Sequence, residues 1–414
     1  MKEIPFTSIE GIIVGHCNEG NSGCTVVLSE NSEGFGCGVD CRGGATGTRE
    51  TDLLKPGMLV EKIHGCVISG GSAFGLDASS GVMKYFREKG IGYHTDILNV
   101  PIVCQAVLYD LQMLNKKDNT SLSLSSNDNN NNNTSSTSNN QNNSIIDLPN
   151  YFELGYKACK NPISNDINGN IGAGNGSTIG KLLGAKHSMK GGLGCYAIQV
   201  DNELKIGAMV AVNCFGDVYE NGNLIAGCYK INDVDSTSDS TTTNTSLLSD
   251  STISTNNTDD TSFNSNNFNN SSNDKLVEFL DSEKILIKEY LQSKEEANAF
   301  ELSKRKHDIT NTTIGIVVCN GILDKSQLNR IAMMAHDGYA RSMKPSHTLY
   351  DGDTIFVIST GTINVKPPTN LIGTLAAQVV EKAVVNGVKH AQSMNDFISF
   401  NDLNNIISTN NSNK

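Results

Sequence analysis

Chemistry enters this sequence most directly at Asn311-Thr312-Thr313-Ile314-Gly315-Ile316-Val317-Val318, where a threonine stands just ahead of a β-branched run with the composition of buried strand. A hydroxyl is a weak nucleophile, but a threonine at a chain start carries an α-amine beside its Oγ and so supplies its own base. Cleavage before Thr312 would create that arrangement. Left uncut, the same residues make an ordinary Thr-rich strand. Further on, Asp351-Gly352-Asp353 sets two carboxylates beside the apolar run Thr354-Ile355-Phe356-Val357-Ile358, which is also how a D-G hairpin turn is built. Lys181 on a Gly-rich turn and Asn213 at the end of Ala208-Met209-Val210-Ala211-Val212 read locally as a solvated lysine and a turn residue.

Other motifs fail on spacing. Gly172-Ala173-Gly174-Asn175-Gly176-Ser177-Thr178-Ile179-Gly180-Lys181 resembles a phosphate-binding loop, but Asn175 stands where a glycine is required and Leu182 replaces the Mg-binding hydroxyl. The same glycines miss the dinucleotide fingerprint at Ser177. Gly70-Gly71-Ser72-Ala73-Phe74 fails as a nucleophile elbow at Phe74, and Ser72 is better read as a helix N-cap. These glycines are expected to let strands and turns approach one another closely.

The elements that must position Thr312 alternate along the chain. Ile12-Ile13-Val14-Gly15-His16 and Cys24-Thr25-Val26-Val27-Leu28 read as a strand pair, and Val67-Ile68-Ser69 as a further strand. Phe74, Ala78, Val82, Tyr85 and Phe86 keep helical spacing from Ser72 to Lys89, with Gly90 as the stop. Leu193 to Val200 and Ile206 to Asn213 read as a hairpin across Asp201-Asn202. After Thr312 the pattern is strand, helix from an Asp324 cap, strand from Asp353 to Ser359, and helix from an Asn370 cap. This is a mixed α/β sheet with helices outside.

Composition bounds the class. Of the 414 residues, Asn115 to about Asp147 and about Asn232 to Asp274 are Asn, Ser, Thr and Asp tracts that bury too little apolar surface to offset ordering entropy, and they read as disordered insertions. Doubling a flexible loop costs only about 0.6 kcal/mol, so one large α/β domain can carry both. A formal charge of −12 argues against nucleic acid as a partner. No run of 18 apolar residues and no signal-peptide core are present, so a soluble, cytoplasmic protein is expected, with no membrane partner. The eleven cysteines are scattered without a C-x-x-C pair, which points to lone buried thiols rather than disulfides or a structural metal.

Taken in order, these segments resemble the DmpA family of N-terminal-nucleophile hydrolases, which includes an aminopeptidase/D-amidase branch and the nylon-oligomer (aminohexanoate-oligomer) hydrolases. The resemblance covers nearly all of the chain outside the two tracts. It runs through Gly11 to His16, Gly23 to Val27, Val39 to Thr51, Ser69 to Asp77, Gly172-Ala173-Gly174 and Val212-Asn213. It continues through Asn311-Thr312-Thr313, His336-Asp337-Gly338-Tyr339-Ala340-Arg341 and Asp351-Gly352-Asp353. The spacing of Thr312 to Asp351 and Asp353 is similar to the nylon-hydrolase branch; the aminopeptidase branch carries Ser as nucleophile, with Ser and Glu in place of the two Asp.

The resemblance implies a layered αββα sandwich, similar to the ornithine-acetyltransferase fold, and a precursor that cuts itself between Asn311 and Thr312 into chains 1–311 and 312–414. It implies Thr312 as nucleophile and, through its amine, general base, and Asp351 and Asp353 as orienting or proton-relaying groups. Asn213 and Tyr109 would be oxyanion donors, and Lys181 would bridge to the Asn or Asp groups. Tyr109 reads equally well as a half-buried aromatic. The expected substrate is a small amide or short peptide, with no cofactor and no metal, in a homo-oligomer, a tetramer by resemblance. An acyltransferase using the same acyl-enzyme, and an inactive scaffold of the same fold, are the alternatives.

Overall fold

The computed structural model describes residues 1–114, 116–117, 145–233, 275–295 and 311–412. The two low-complexity tracts fall almost entirely outside the described residues, as does the stretch 296–310 leading to Asn311. Short antiparallel ladders stand at the base of each tract, pairing Lys116–Lys117 with Ile145–Ile146 and Tyr229–Asp233 with Lys275–Phe279. Each tract therefore leaves and re-enters the domain at one place.

The principal strands are β1 (Ile12–Glu19), β2 (Ser22–Ser29), β3 (Phe35–Cys41), β4 (Gly65–Ser69), β5 (Val103–Val107), β6 (Gly192–Gln199), β7 (Lys205–Val212), β8 (Ile314–Cys319) and β9 (Thr354–Ser359). The helices that cover them are α1 (Ala78–Glu88), α2 (Tyr151–Lys160), α3 (Lys325–Ser342) and α4 (Thr369–Lys389). One sheet runs Lys2–Ile4, β6, β7, β8, β9, β3, Lys62–Ile63, and the other Pro162–Ile163, β1, β2, β4, β5, Gly47–Arg49.

Side-chain alternation builds four layers. On β8, Ile314, Ile316 and Val318 face the second sheet, joining Val27, Cys66, Ile68 and Ala106, whereas Val317 and Cys319 face α3 and α4 with Leu328, Ile331 and Val380. Strands β7 and β9 divide in the same way, through Met209 and Phe356 on one face and Val210 and Val357 on the other. Both faces being buried explains why these strands read as near-continuous apolar runs rather than alternating ones. The outer face of the second sheet packs Val26, Leu28 and Val67 on Val82 and Phe86 of α1 and Leu154 and Ala158 of α2. The order is helix, sheet, sheet, helix, the αββα sandwich that the resemblance implies.

Most boundaries fall where local chemistry puts them. Asp324 caps α3 in a capping box with Gln327, and Asp201 closes the β6–β7 hairpin by accepting from the backbone of Glu203 and Leu204. Two caps differ from expectation. Ser72 opens a 3-10 turn, Ser72–Asp77, at φ +51° after Gly71 at φ +88°, and α1 begins only at Ala78. Helix α4 begins at Thr369 behind Pro368, so Asn370 lies inside its first turn and a preset proline φ takes the place of a side-chain cap. By length and hydropathy α4 could cross a membrane, yet 67% of that stretch is buried, as a helix laid on the sheet requires.

Contact between α4 and the sheet is close enough to demand glycine. A Cβ at Gly194 would lie 2.0 Å from the Ala383 carbonyl oxygen and 2.2 Å from the Gly387 nitrogen, both backbone atoms that cannot rotate away. We predict that Gly194→Ala lowers stability by about 1–3 kcal/mol through overpacking. Urea unfolding of the variant beside the parent chain, both carrying Thr312→Ala, checks this, and an unchanged midpoint would contradict the packing described.

Candidate active site

Thr312 is placed by the two strands flanking β8, antiparallel β7 and parallel β9. The parallel register pairs Ile314 with Thr354 and continues past the end of the sheet as a bridge between Asn311 and Asp351. Thr312 and Thr313 consequently stand level with Gly352 and Asp353. The Thr312 N–H donates to the Asn213 carbonyl at 3.0 Å, and the Thr313 N–H to Asp353 Oδ1 at 2.9 Å. The nucleophile candidate is thus held from both sides, and it is 3% exposed.

The carbonyl oxygen ahead of Thr312 has two donors. Thr312 Oγ donates to the Asn311 carbonyl oxygen at 2.5 Å, and the Gly352 N–H donates to the same oxygen at 2.7 Å. Gly352 has no room for a side chain, since a Cβ there would sit 2.5 Å from Thr312 Oγ and 2.6 Å from the Ala45 carbonyl oxygen. The Asn311 carboxamide is fully buried, and neither of its polar atoms has a hydrogen-bond partner among the described residues.

Behind Thr312, Asn213 is the centre of a buried polar cluster. Its Oδ1 accepts from Lys181 Nζ at 2.7 Å and from the Thr178 N–H at 2.9 Å, and its Nδ2 donates to the Tyr109 carbonyl at 3.0 Å. Lys181 is therefore buried rather than solvated, and Asn213 is fully enclosed rather than a surface turn residue. Burial pulls the Lys181 ammonium down to about 7, against an opposing pull from Cys214, Asp351 and Asp110.

The two carboxylates are divided by their partners. Asp351 accepts through Oδ2 from Thr348 Oγ at 2.6 Å and the Thr348 N–H at 2.9 Å, and through Oδ1 from the Phe215 N–H at 3.3 Å. Burial first, and then the charge of Asp353, push it up to about 6, while the Thr348 and Phe215 donors pull it down. Asp353 accepts from Thr313 on Oδ1 and from His347 on Oδ2. The strand that follows them pairs parallel with β8 and antiparallel with β3, so Asp351-Gly352-Asp353 is a strand entry and not a hairpin turn.

Five of the six residues singled out by sequence, Thr312, Asp351, Asp353, Asn213 and Lys181, meet in this one buried cluster. Tyr109 joins it through its backbone carbonyl. The sequence reading missed Gly352, Thr348 and His347, and also Asp110 and Lys190 behind them. Asp110, held by Ser22 Oγ and the Gly71 N–H, is raised by burial to about 6, and Lys190, capped by three carbonyls, is lowered by burial to about 7. Among the described residues no group of three His, Cys, Asp or Glu side chains is arranged to hold a metal.

The profile described as "Peptidase family S58" matches residues 5–399. The chain belongs to peptidase family S58. An "Uncharacterized aminopeptidase" of Mycobacterium tuberculosis is 28% identical over 96% of this chain and 97% of its own length. A "6-aminohexanoate-oligomer endohydrolase" of a Kocuria species is 23% identical over 92% of this chain and 84% of its own length. Among solved structures, the L-aminopeptidase D-Ala-esterase/amidase of Ochrobactrum anthropi, described as a variant of the Ntn-hydrolase fold, superposes with a TM-score of 0.57 at 16% identity, covering 98% of this chain and 93% of that one. A β-aminopeptidase of a Burkholderia species superposes with a TM-score of 0.56 at 14% identity, covering 99% and 96%. This S58 chain therefore has the DmpA-type fold and the family membership of a peptide hydrolase.

The buried lysine gives the S58 site a pH signature. Between about pH 7 and the ordinary lysine value of 10.5, the unfolded chain holds a proton on Lys181 that the folded chain has released, so this group makes stability rise with pH across that window. Lys181→Met, compared with its parent in a Thr312→Ala background, is expected to remove the dependence. The stability difference, variant minus parent, is expected to be more positive at pH 6.5 than at pH 9 by on the order of 1 kcal/mol or more. A difference that is flat with pH in urea titrations would contradict a depressed Lys181.

Proposed function

We propose that this chain is a self-processing amidohydrolase that cuts its own Asn311–Thr312 bond and then cleaves small amides or short peptides through an acyl-enzyme on Thr312. The observation that carries the reading is the pair of donors on the Asn311 carbonyl oxygen, the Thr312 hydroxyl and the Gly352 N–H. It sets the nucleophile against the carbonyl it must attack, with a rigid backbone donor in place for the charge that develops on oxygen.

In the first stage Thr312 Oγ bonds to the Asn311 carbonyl carbon, the C–N bond breaks, and the hydroxyl proton ends on the departing nitrogen. Water then hydrolyses the ester, leaving a carboxylate on Asn311 and a free amine on Thr312. The Asn311 carboxamide, without a hydrogen-bond partner among the described residues, favours departure, because a buried amide without hydrogen bonds costs about 1–3 kcal/mol and regains them in water. In the second stage the Thr312 amine, with an ordinary pKa of about 7.7–8.0, takes the Oγ proton as the hydroxyl attacks a substrate carbonyl. The substrate carbonyl takes the position that Asn311 leaves, at the Gly352 N–H. Asn213, held by Lys181, lies on the other side of Thr312. The peptidase family and the aminopeptidase and oligomer-hydrolase names of relatives support amide bonds as the target.

Two outcomes test this. Intact mass and N-terminal sequencing of purified protein should show a fragment beginning Thr312-Thr313-Ile314, absent from Thr312→Ala and formed more slowly in Thr312→Ser; a single stable chain would sink the proposal. Gly352→Ala, which must displace the donor, should slow fragment formation by roughly 10- to 1,000-fold. Processing at the wild-type rate in that variant would remove Gly352 from the mechanism.

A further inference from the structure

His336-Asp337-Gly338-Tyr339-Ala340-Arg341 is left unused by the nucleophile chemistry, and two of its rings pack against His347, the partner of Asp353 Oδ2. His336 and Tyr339 lie one turn apart on the buried face of α3. Their rings form a wall against His347, with centroids 4.8 Å and 6.2 Å from the His347 ring. His336 is itself fixed, its Nε2 donating to the Asp40 carbonyl at 3.0 Å. That bond sets its tautomer, and burial, the leading cause, holds its pKa at about 4, so the wall stays neutral near pH 7.

What the wall supports is a two-point grip on one oxygen. His347 Nδ1 donates to Asp353 Oδ2 at 2.8 Å, and the His347 backbone N–H donates to the same oxygen at 3.1 Å. The second contact goes with a left-handed backbone at His347, φ +58°, which is unusual for a residue with a side chain. The opposite oxygen, Oδ1, accepts from the Thr313 N–H. Asp353 is thus a clasp between His347 and the residue next to the nucleophile.

We infer that His347 is a positioning residue for Thr312: acting through Asp353, it fixes the rotation of the carboxylate that pins Thr313, and so holds the Thr312 hydroxyl on line. The inference rests on the proposed function and deepens it. The titratable groups around the His347 ring are Asp353 at Nδ1, with Asp351 beyond it, and His336, Tyr339 and Asp40 on the wall.

The test uses the full chain carrying His347→Gly, which accepts the left-handed backbone and keeps the N–H contact, and His347→Asn, whose short amide also tolerates that backbone and can offer an N–H to Asp353. Fragment formation is timed by mass. The processed enzyme is assayed on an aminoacyl p-nitroanilide across pH, and melting temperatures are recorded alongside. Expected for His347→Gly is a loss of roughly tenfold or more in processing rate and kcat with KM little changed; His347→Asn recovers much of the rate. Wild-type processing and kcat in His347→Gly would overturn the inference while leaving self-processing intact. Equal loss in both variants, matched by equal loss of melting temperature, would reduce His347 to a structural residue and overturn it as well. A wild-type chain that does not cut itself fails the underlying function instead.

Discussion

The parallel pairing of β8 with β9 is the constraint on which the site depends. Register with β7 alone would leave Thr312 at the end of a strand with nothing beside its hydroxyl. Pairing Ile314 with Thr354 brings residues about 40 apart in sequence level with each other, and the alignment persists through Thr313 with Asp353 to the bridge of Asn311 with Asp351. A slip of one residue would turn the β8 side chains to the opposite layers, exchanging Ile316 with Val317 between the sheet–sheet and sheet–helix cores. The apolar cost of that exchange is what secures the polar geometry at the strand ends. Catalytic precision here is inherited from the packing of two hydrophobic layers.

Around this register the molecule buries charge. Lys181 and Lys190 are drawn down to about 7, and Asp110 and Asp351 up to about 6, in each case by burial before any other cause. Groups ordinarily several pH units apart are thereby drawn toward one another. Each is nevertheless hydrogen-bonded, Lys190 to three carbonyls and Asp110 to a hydroxyl and an amide, which is what makes such burial tolerable. An N-terminal amine released at Thr312 would enter this setting as a further group of similar pKa.

The fold tolerates wide sequence change. Structures at 14–16% identity share it over nearly the whole chain, and a relative at 28% identity spans it end to end. The Asn-rich tracts are compatible with this because each joins the domain at a short ladder that is not part of either large sheet. Lengthening a loop whose ends are already pinned costs little.

How much of this could be read in advance depended on whether a residue's role follows from its own side chain. Strands β7, β8 and β9 announce themselves because burial on both faces requires near-continuous apolar runs. Asp324 announces its helix because a carboxylate at an N-cap satisfies free N–H groups. Thr312 and the two Asp stand at strand ends where chemistry is plausible on residue type alone. Asn370 and Ser72 misled as caps, because Pro368 and Gly71 settle those turns through backbone angles that compete with any side-chain signal. Lys181 looks solvated until Ser177 to Leu182 folds against Asn213, since burial of a lysine depends on what closes over it. Gly352 contributes an N–H, and His347 an N–H at positive φ, groups that every residue or nearly every residue possesses and that only placement makes functional. The sequence by itself determined the layers and the reactive side chains, because both follow from side-chain type and local spacing. Only the tertiary structure decided which backbone donors and buried charges surround Thr312, because those depend on the register between segments far apart in the chain.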